Sequence, residues 1–174
     1  VNLLKTKISK NLNIINEDIL NFSKKNLLNN DSIIFGNLPY NISSQILVKF
    51  IINKHKFKFK KLIFMFQKEV GDKILADFGS KNYSRLSIIT KSRLKIMNYF
   101  YVSKNCFFPK PKVDSTILNL IPYKKISEKI RNIENLEKIT KILFSSKRKM
   151  INKSLNKILT KDKINSIKDL NLKL

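Results

Sequence analysis

The sequence predicts a layered α/β domain with a mostly parallel sheet, followed by a small helical appendage. Three observations carry this expectation. Short apolar runs of strand length alternate with stretches of helical spacing. The run Lys61-Leu62-Ile63-Phe64-Met65-Phe66-Gln67 is apolar without alternation, as in a strand buried on both faces of a parallel sheet. Beyond residue 124 no strand candidate remains, while lysine-rich helical spacing continues.

Taken in order, residues 1–10 read as the tail of a helix, and residues 12–15 as a short strand ending at Asn16-Glu17-Asp18. Residues 32–36 read as a second buried strand. A helix is expected over 43–53, because Ile46, Leu47, Phe50 and Ile51 fall on one face. The strand 61–67 is followed by helices over 70–78 and 85–94. Two more strands, 96–102 and 116–121, are joined by a loop carrying Pro109 and Pro111. Helices over 133–144, 149–159 and 163–170 complete the chain. A boundary near residues 123–131 divides an α/β unit, 1–123, from a helical unit, 124–174.

Composition narrows the functional classes. The chain has 174 residues and a net charge of +24, from 36 basic and 12 acidic residues. Arg85, Arg93, Arg131 and Arg148 are the arginines, so the basic surplus is almost all lysine. AT-rich coding explains lysine over arginine but not the shortage of acids. The surplus favours a polyanionic partner, nucleic acid before an anionic membrane. No run reaches membrane-spanning length, and the first residues lack the order of a signal peptide. Cys106 alone cannot form an internal disulfide, and with His55 the lone histidine no metal cluster is expected. A reducing, cytoplasmic setting follows as the expectation. Cys106 reads as a small buried group, His55 as a surface residue.

The most informative motif is Asn37-Leu38-Pro39-Tyr40, placed where a strand gives way to a helix. The Asn side-chain carbonyl and the next backbone carbonyl can both accept hydrogen bonds from one exocyclic NH2. Pro39 fixes the turn that presents them, and Tyr40 offers a face on which a base can stack. The same residues could simply close a strand with a proline turn. The three glycines, Gly36, Gly71 and Gly79, form no glycine-rich nucleotide loop after a first strand.

Five segments together resemble the KsgA family of ribosomal RNA adenine dimethyltransferases. They are Asn37-Leu38-Pro39-Tyr40-Asn41-Ile42-Ser43, Gln67-Lys68-Glu69-Val70, Tyr83-Ser84-Arg85-Leu86-Ser87, Phe107-Phe108-Pro109-Lys110-Pro111-Lys112-Val113-Asp114-Ser115, and Phe144-Ser145-Ser146-Lys147-Arg148-Lys149 with Asn152 and Ser154-Leu155. The resemblance implies a Rossmann-like class I methyltransferase sheet, incomplete at its amino-terminal side, with S-adenosylmethionine as methyl donor. It implies dimethylation of the N6 of two adjacent adenosines in a hairpin of small-subunit rRNA. The implied partners are that rRNA and the 30S subunit, and the protein is expected to be a monomer without a membrane or metal.

By the same resemblance, Asn37, Leu38, Pro39 and Tyr40 grip the target amino group and Phe107 covers the other face of the base. Asp18, with Asn37, meets the cofactor; taken alone, Asp18 equally suits an N-cap. Phe108 reads as the core member of its pair. Lys110, Lys112, Lys147, Arg148, Lys149 and Lys153 are candidates for RNA contact, though a solvated basic face accounts for the last four as well. Gln67-Lys68-Glu69 suits support of the catalytic loop or a solvated helix start. Ser84 stands where the family has glycine, and Lys73 where it has arginine. The family's glycine-rich loop and ribose-binding acid fall upstream of Val1, and the end at Leu174 looks short of the family's final helices. The chain thus reads as a fragment, expected to bind cofactor weakly by itself. An Erm-type enzyme of the large subunit, whose tetrapeptide more often carries Ile at the second position, and a non-catalytic assembly factor are the rival readings.

Overall fold

A computed structural model describes residues 13–22, 28–53, 57–123, 130, 132–145 and 160. In chain order these form β1 (Ile33–Asn37), α1 (Ser43–Ile52), β2 (Lys61–Gln67), α2 (Lys68–Leu75), α3 (Arg85–Arg93), β3 (Leu94–Val102), β4 (Ser115–Pro122) and α4 (Ile133–Leu143). The expected helices over 1–10, 149–159 and 163–170, and His55, lie outside the described residues. Residues 13–15 are irregular rather than a strand. A strand exists only within a ladder, and no described strand runs beside them.

The strand order is β1-β2-β4-β3. β1 and β2 are parallel, with Asn37 opposite Met65. β4 runs antiparallel to both β2 and β3. The sheet is therefore mixed, not mostly parallel. The connection favours this: β3 and β4 are neighbours joined without a crossover helix, the arrangement typical of antiparallel pairs.

The core lies on one face of this sheet. Leu62, Phe64 and Phe66 of β2 share that face with Leu118 and Leu120 of β4, and all are shielded from solvent. Ile46, Leu47, Phe50 and Ile51 of α1, Ile74 of α2 and Ile89 of α3 complete it. Each such side chain contributes about 1.5–3 kcal/mol through burial. Phe50 meets Phe57, Phe59 and Phe64 at centroid distances of 5.4, 6.1 and 5.8 Å.

β2, expected to be buried on both faces, is fully buried on one and only half-buried on the other, and β1, expected to be buried, is open on one face. Ile34 and Gly36 face the core, whereas Ile33 and Phe35 are 48% and 73% exposed. Apolarity alone does not say which faces are covered, because successive residues point to opposite sides.

α2 begins and ends earlier than its spacing suggested. Lys91 of α3 explains the stop: its ammonium donates to the carbonyls of Leu75 and Ala76, both at 2.8 Å, and to Asp77 Oδ1 at 2.6 Å. A cation placed on the last carbonyls ends the helix favourably. Against β4, α2 approaches so closely that a Cβ on Gly71 would stand 2.5 Å from Thr116 Cβ.

The start of the lysine-rich end packs on this layer. Ile133 and Leu136 of α4 lie against the core. Arg85 is ion-paired with Glu137, and the rings of Tyr83 and Phe144 meet at 6.3 Å. Buried Arg93 donates from Nη2 to the Ile130 carbonyl at 3.2 Å.

Candidate active site at the ends of β1, β2 and β4

β1 delivers Asn37 to the carboxyl edge of the sheet, on the face it shares with Met65 and opposite the helical layer. Gly36 makes the next step possible. A Cβ there would fall 2.7 Å from both Leu38 Cδ2 and Phe64 Cδ1, so only glycine lets Leu38 fold back over the strand. The turn then closes through the Ile42 N–H, which donates to the Pro39 carbonyl at 3.1 Å, and Ser43 Oγ, which donates to the Tyr40 carbonyl at 3.1 Å. Asn37 and Pro39 are exposed, and Leu38 and Tyr40 are half-buried. A side chain aimed at solvent beside a fixed turn is suited to grip a ligand.

Tyr40 is held across the sheet. Its hydroxyl lies 2.8 Å from Oγ of Ser115, a fully buried residue at the start of β4. Ser115 also ends the loop that carries Phe107. That loop is stapled by Asp114, whose Oδ1 accepts from the Lys104 N–H at 2.9 Å and whose carbonyl accepts from the Lys68 N–H at 2.9 Å. Gln67 pairs with Ser115 in the ladder. Of the two readings of Gln67-Lys68-Glu69, the backbone thus favours support of the loop. Neither Ser115 nor Asp114 was singled out in the sequence, although both lie in a motif that the resemblance quoted.

Phe107 is half-buried and Phe108 fully exposed, reversing the expected assignment of Phe108 to the core. The loop's ends are fixed by Asp114, and of its two adjacent rings only Phe107 is turned against the protein. Cys106 is likewise exposed, not buried. It sits in the single turn Lys104–Cys106, which buries no residue.

Asp18 occupies a tight turn. Its Oδ1 accepts from the Leu20 N–H and its Oδ2 from Asn21 Nδ2, both at 2.9 Å. The turn is tied to α1 by Lys49, whose ammonium donates to the carbonyls of Leu20 at 2.5 Å and Phe22 at 2.8 Å. Sequence reasoning passed over Lys49 because one lysine among so many carries no signal. Lys110 and Lys112 are exposed on the Phe107 loop; Lys147, Arg148, Lys149 and Lys153 lie outside the described residues. Ser84 replaces glycine without cost: its N–H donates to Ser87 Oγ at 3.0 Å, and Ser87 Oγ donates to the Lys73 carbonyl at 2.6 Å. Among the described residues no group of His, Cys, Asp and Glu is arranged to hold a metal ion, and no helix is long and apolar enough to cross a membrane.

A mixed sheet with an inserted antiparallel strand and the motif at its carboxyl edge define a class I methyltransferase fold. The ribosomal RNA adenine dimethylase family matches residues 1–173, and the chain belongs to that family. It is 43% identical over 157 residues to ribosomal RNA small subunit methyltransferase A of Pelagibacter ubique (strain HTCC1062), covering 90% of this chain and 60% of that protein. It is 40% identical over 172 residues to the protein of the same name from Buchnera aphidicola subsp. Baizongia pistaciae, covering 95% and 65%. Among solved structures, a dimethyladenosine transferase from Plasmodium falciparum superposes with a TM-score of 0.70 at 30% identity, covering 97% of this chain and 57% of that one. The 23S rRNA methyltransferase ErmE superposes at 0.59 with 22% identity, covering 89% and 60%, a likeness of fold alone. The chain therefore spans about three fifths of the length of these relatives.

Proposed function

We propose that the chain is the substrate-handling part of an enzyme that dimethylates N6 of two adjacent adenosines in small-subunit rRNA. The observation that carries this reading is Asn37-Leu38-Pro39-Tyr40 fixed at the end of β1, with Tyr40 braced on Ser115 beside the Phe107 loop. The Asn37 side-chain oxygen and the Leu38 carbonyl accept hydrogen bonds from the target amino group. Accepting both N–H bonds favours a pyramidal nitrogen whose lone pair is free to attack. The flipped base stacks between Tyr40 and Phe107, offsetting the loss of its own stack. No strong base is required, so positioning and electrostatics do most of the catalysis.

The methyl donor is S-adenosylmethionine, which supplies an already activated sulfonium methyl. Asp18 and Asn37 are the residues here that would meet it. Each Asp18 oxygen accepts one hydrogen bond within its turn, leaving a further lone pair for an adenine amino group, so the carboxylate fits the task. RNA phosphates are contacted by the lysine-rich residues 124–174, with Lys147, Arg148, Lys149 and Lys153 as contacts beside Lys110 and Lys112. The setting is cytoplasmic, the partner the 30S subunit, and the working form a monomer.

Asn37→Ala in the full-length protein tests the reading. Loss of the clamp lowers kcat by about 100-fold, the scale for removing one preorganised polar group. RNA affinity stays at the wild-type value. Unchanged methylation would refute the assignment.

A further inference from the structure

A second set of side chains lies on the same sheet edge as the catalytic turn. Beyond the end of β2 is a cleft of about 340 Å³ whose walls include Gln67, Lys68, Glu69, Lys104, Lys112 and Asp114. Its charge is predominantly positive in effect. Glu69 is paired with Lys73 at 2.5 Å and Lys68 with Asp72 at 2.7 Å, which leaves Lys104 and Lys112 against the carboxylate of Asp114. The ammonium groups of Lys104 and Lys112 belong to residues that flank the Phe107 loop on either side.

Next to this cleft stands Tyr101, two residues before the loop begins. Its hydroxyl donates to Asp72 Oδ1 at 2.9 Å, and the Lys68 ammonium sits 4.7 Å from its ring centroid while bonding Asp72 Oδ2 at 2.7 Å. The hydrogen bond to Asp72 raises the Tyr101 phenol above its ordinary range and does the same for Lys68. The ring is thus fixed in place yet 49% exposed, with Tyr99, 50% exposed, set edge-on at 5.7 Å. The Lys68 ammonium covers one face of the ring, so a flat ligand would stack on the other. In the ladder Tyr101 pairs with Thr116, the neighbour of the Ser115 that braces Tyr40. From β1 to β3 is three strand spacings, roughly 14 Å.

We propose that this edge is the path of the RNA strand next to the target adenosine. The backbone phosphate seats at Lys104 and Lys112, and the flanking base stacks on Tyr101. The inference rests on the methyltransferase reading above. A single strand is the occupant because the edge combines what such strands need, cations for the backbone and exposed rings for the bases. Discrimination among bases is not expected, because the polar groups at Tyr101 are engaged with one another. Base–aromatic stacking of this kind is sequence-tolerant.

The test uses the full-length protein and a hairpin RNA with two adjacent loop adenosines. Tyr101→Ala weakens RNA binding by about 10-fold, the middle of the range for one stacked base. Tyr101→Phe, which keeps the ring, loses far less. Lys104→Ala flattens the plot of log affinity against log salt by about 0.7, the value for one phosphate on a single strand. Thermal unfolding confirms that each variant folds. If folded Tyr101→Ala and Lys104→Ala match the wild type in affinity and salt slope while the wild type methylates, the proposed path is wrong and the methyltransferase reading stands. A wild type that neither binds nor methylates the RNA overturns both.

Discussion

The hydroxyl of Tyr40 and Oγ of Ser115 lie 2.8 Å apart although 75 positions separate them in the chain. The contact joins the turn after β1 to the first residue of β4, across the intervening β2. In the proposed function Tyr40 would stack on the target base, and Ser115 closes the loop that carries Phe107. Tyr40→Phe keeps the stacking face and removes the brace. It costs about 1 kcal/mol of stability, the usual net worth of a hydrogen bond. Methyl transfer falls only a few-fold, whereas Tyr40→Ala, which removes the ring as well, falls much further. Chemical denaturation and methyl-incorporation rates on the full-length protein separate the two effects; equal losses in both variants would show that the ring does nothing.

Asp114 staples both ends of the Phe107 loop through two distinct atoms. Its carbonyl is backbone and survives mutation, so Asp114→Ala removes only the bond to the Lys104 N–H. Leaving that donor unpaired costs about 1–3 kcal/mol locally. Faster hydrogen exchange at Lys104 and its neighbours is expected, with slower methylation. Exchange unchanged from the wild type would mean that the loop is held by something else.

Gly71 sets the distance between α2 and β4. A Cβ there meets Thr116 at Cβ, Oγ1 and Cγ2, at 2.5, 2.6 and 2.9 Å, so either the helix or the strand must move. Overpacking of this kind costs about 1–3 kcal/mol. Gly71→Ala is expected to lower the melting temperature, and Gly71→Ala with Thr116→Ser, which deletes Cγ2, to recover part of the loss. No recovery in the double variant would place the strain elsewhere.

The Tyr101–Asp72–Lys68 cluster predicts an alkaline limit. Tyr101 and Lys68 both have folded pKa values raised, first by their hydrogen bonds to Asp72. A raised folded pKa adds stability that is complete below the unfolded value, about 10 for either group, and disappears as pH climbs past the folded one. Stability should therefore fall above about pH 10. Asp72→Asn should bring the Tyr101 transition, followed by tyrosinate absorbance, to lower pH. A transition that stays in place would show that Asp72 does not set it.

Much of the fold was legible because its signals are local. The spacing of Ile46, Leu47, Phe50 and Ile51 marks α1, and the apolar run from Leu62 to Phe66 marks β2, whatever surrounds them. The orientation of β4 was harder to read, since direction depends on which strand it finds as a neighbour. Phe107 and Phe108 are equal in chemistry, and only the placement of their loop in the fold decides which ring turns outward. The mistaken burial of Cys106 has the same origin.

By itself, the sequence determined the family and the position of the Asn37-Leu38-Pro39-Tyr40 motif, because five spaced segments and a large positive charge are written in residue identities. The tertiary structure alone decided that Tyr40 is braced by Ser115, that Asp114 closes the Phe107 loop, and that Tyr101 stands fixed at the same edge. Those relations depend on which strands lie side by side. Pairing is settled by the free energy of the whole packed sheet, which no single segment contains.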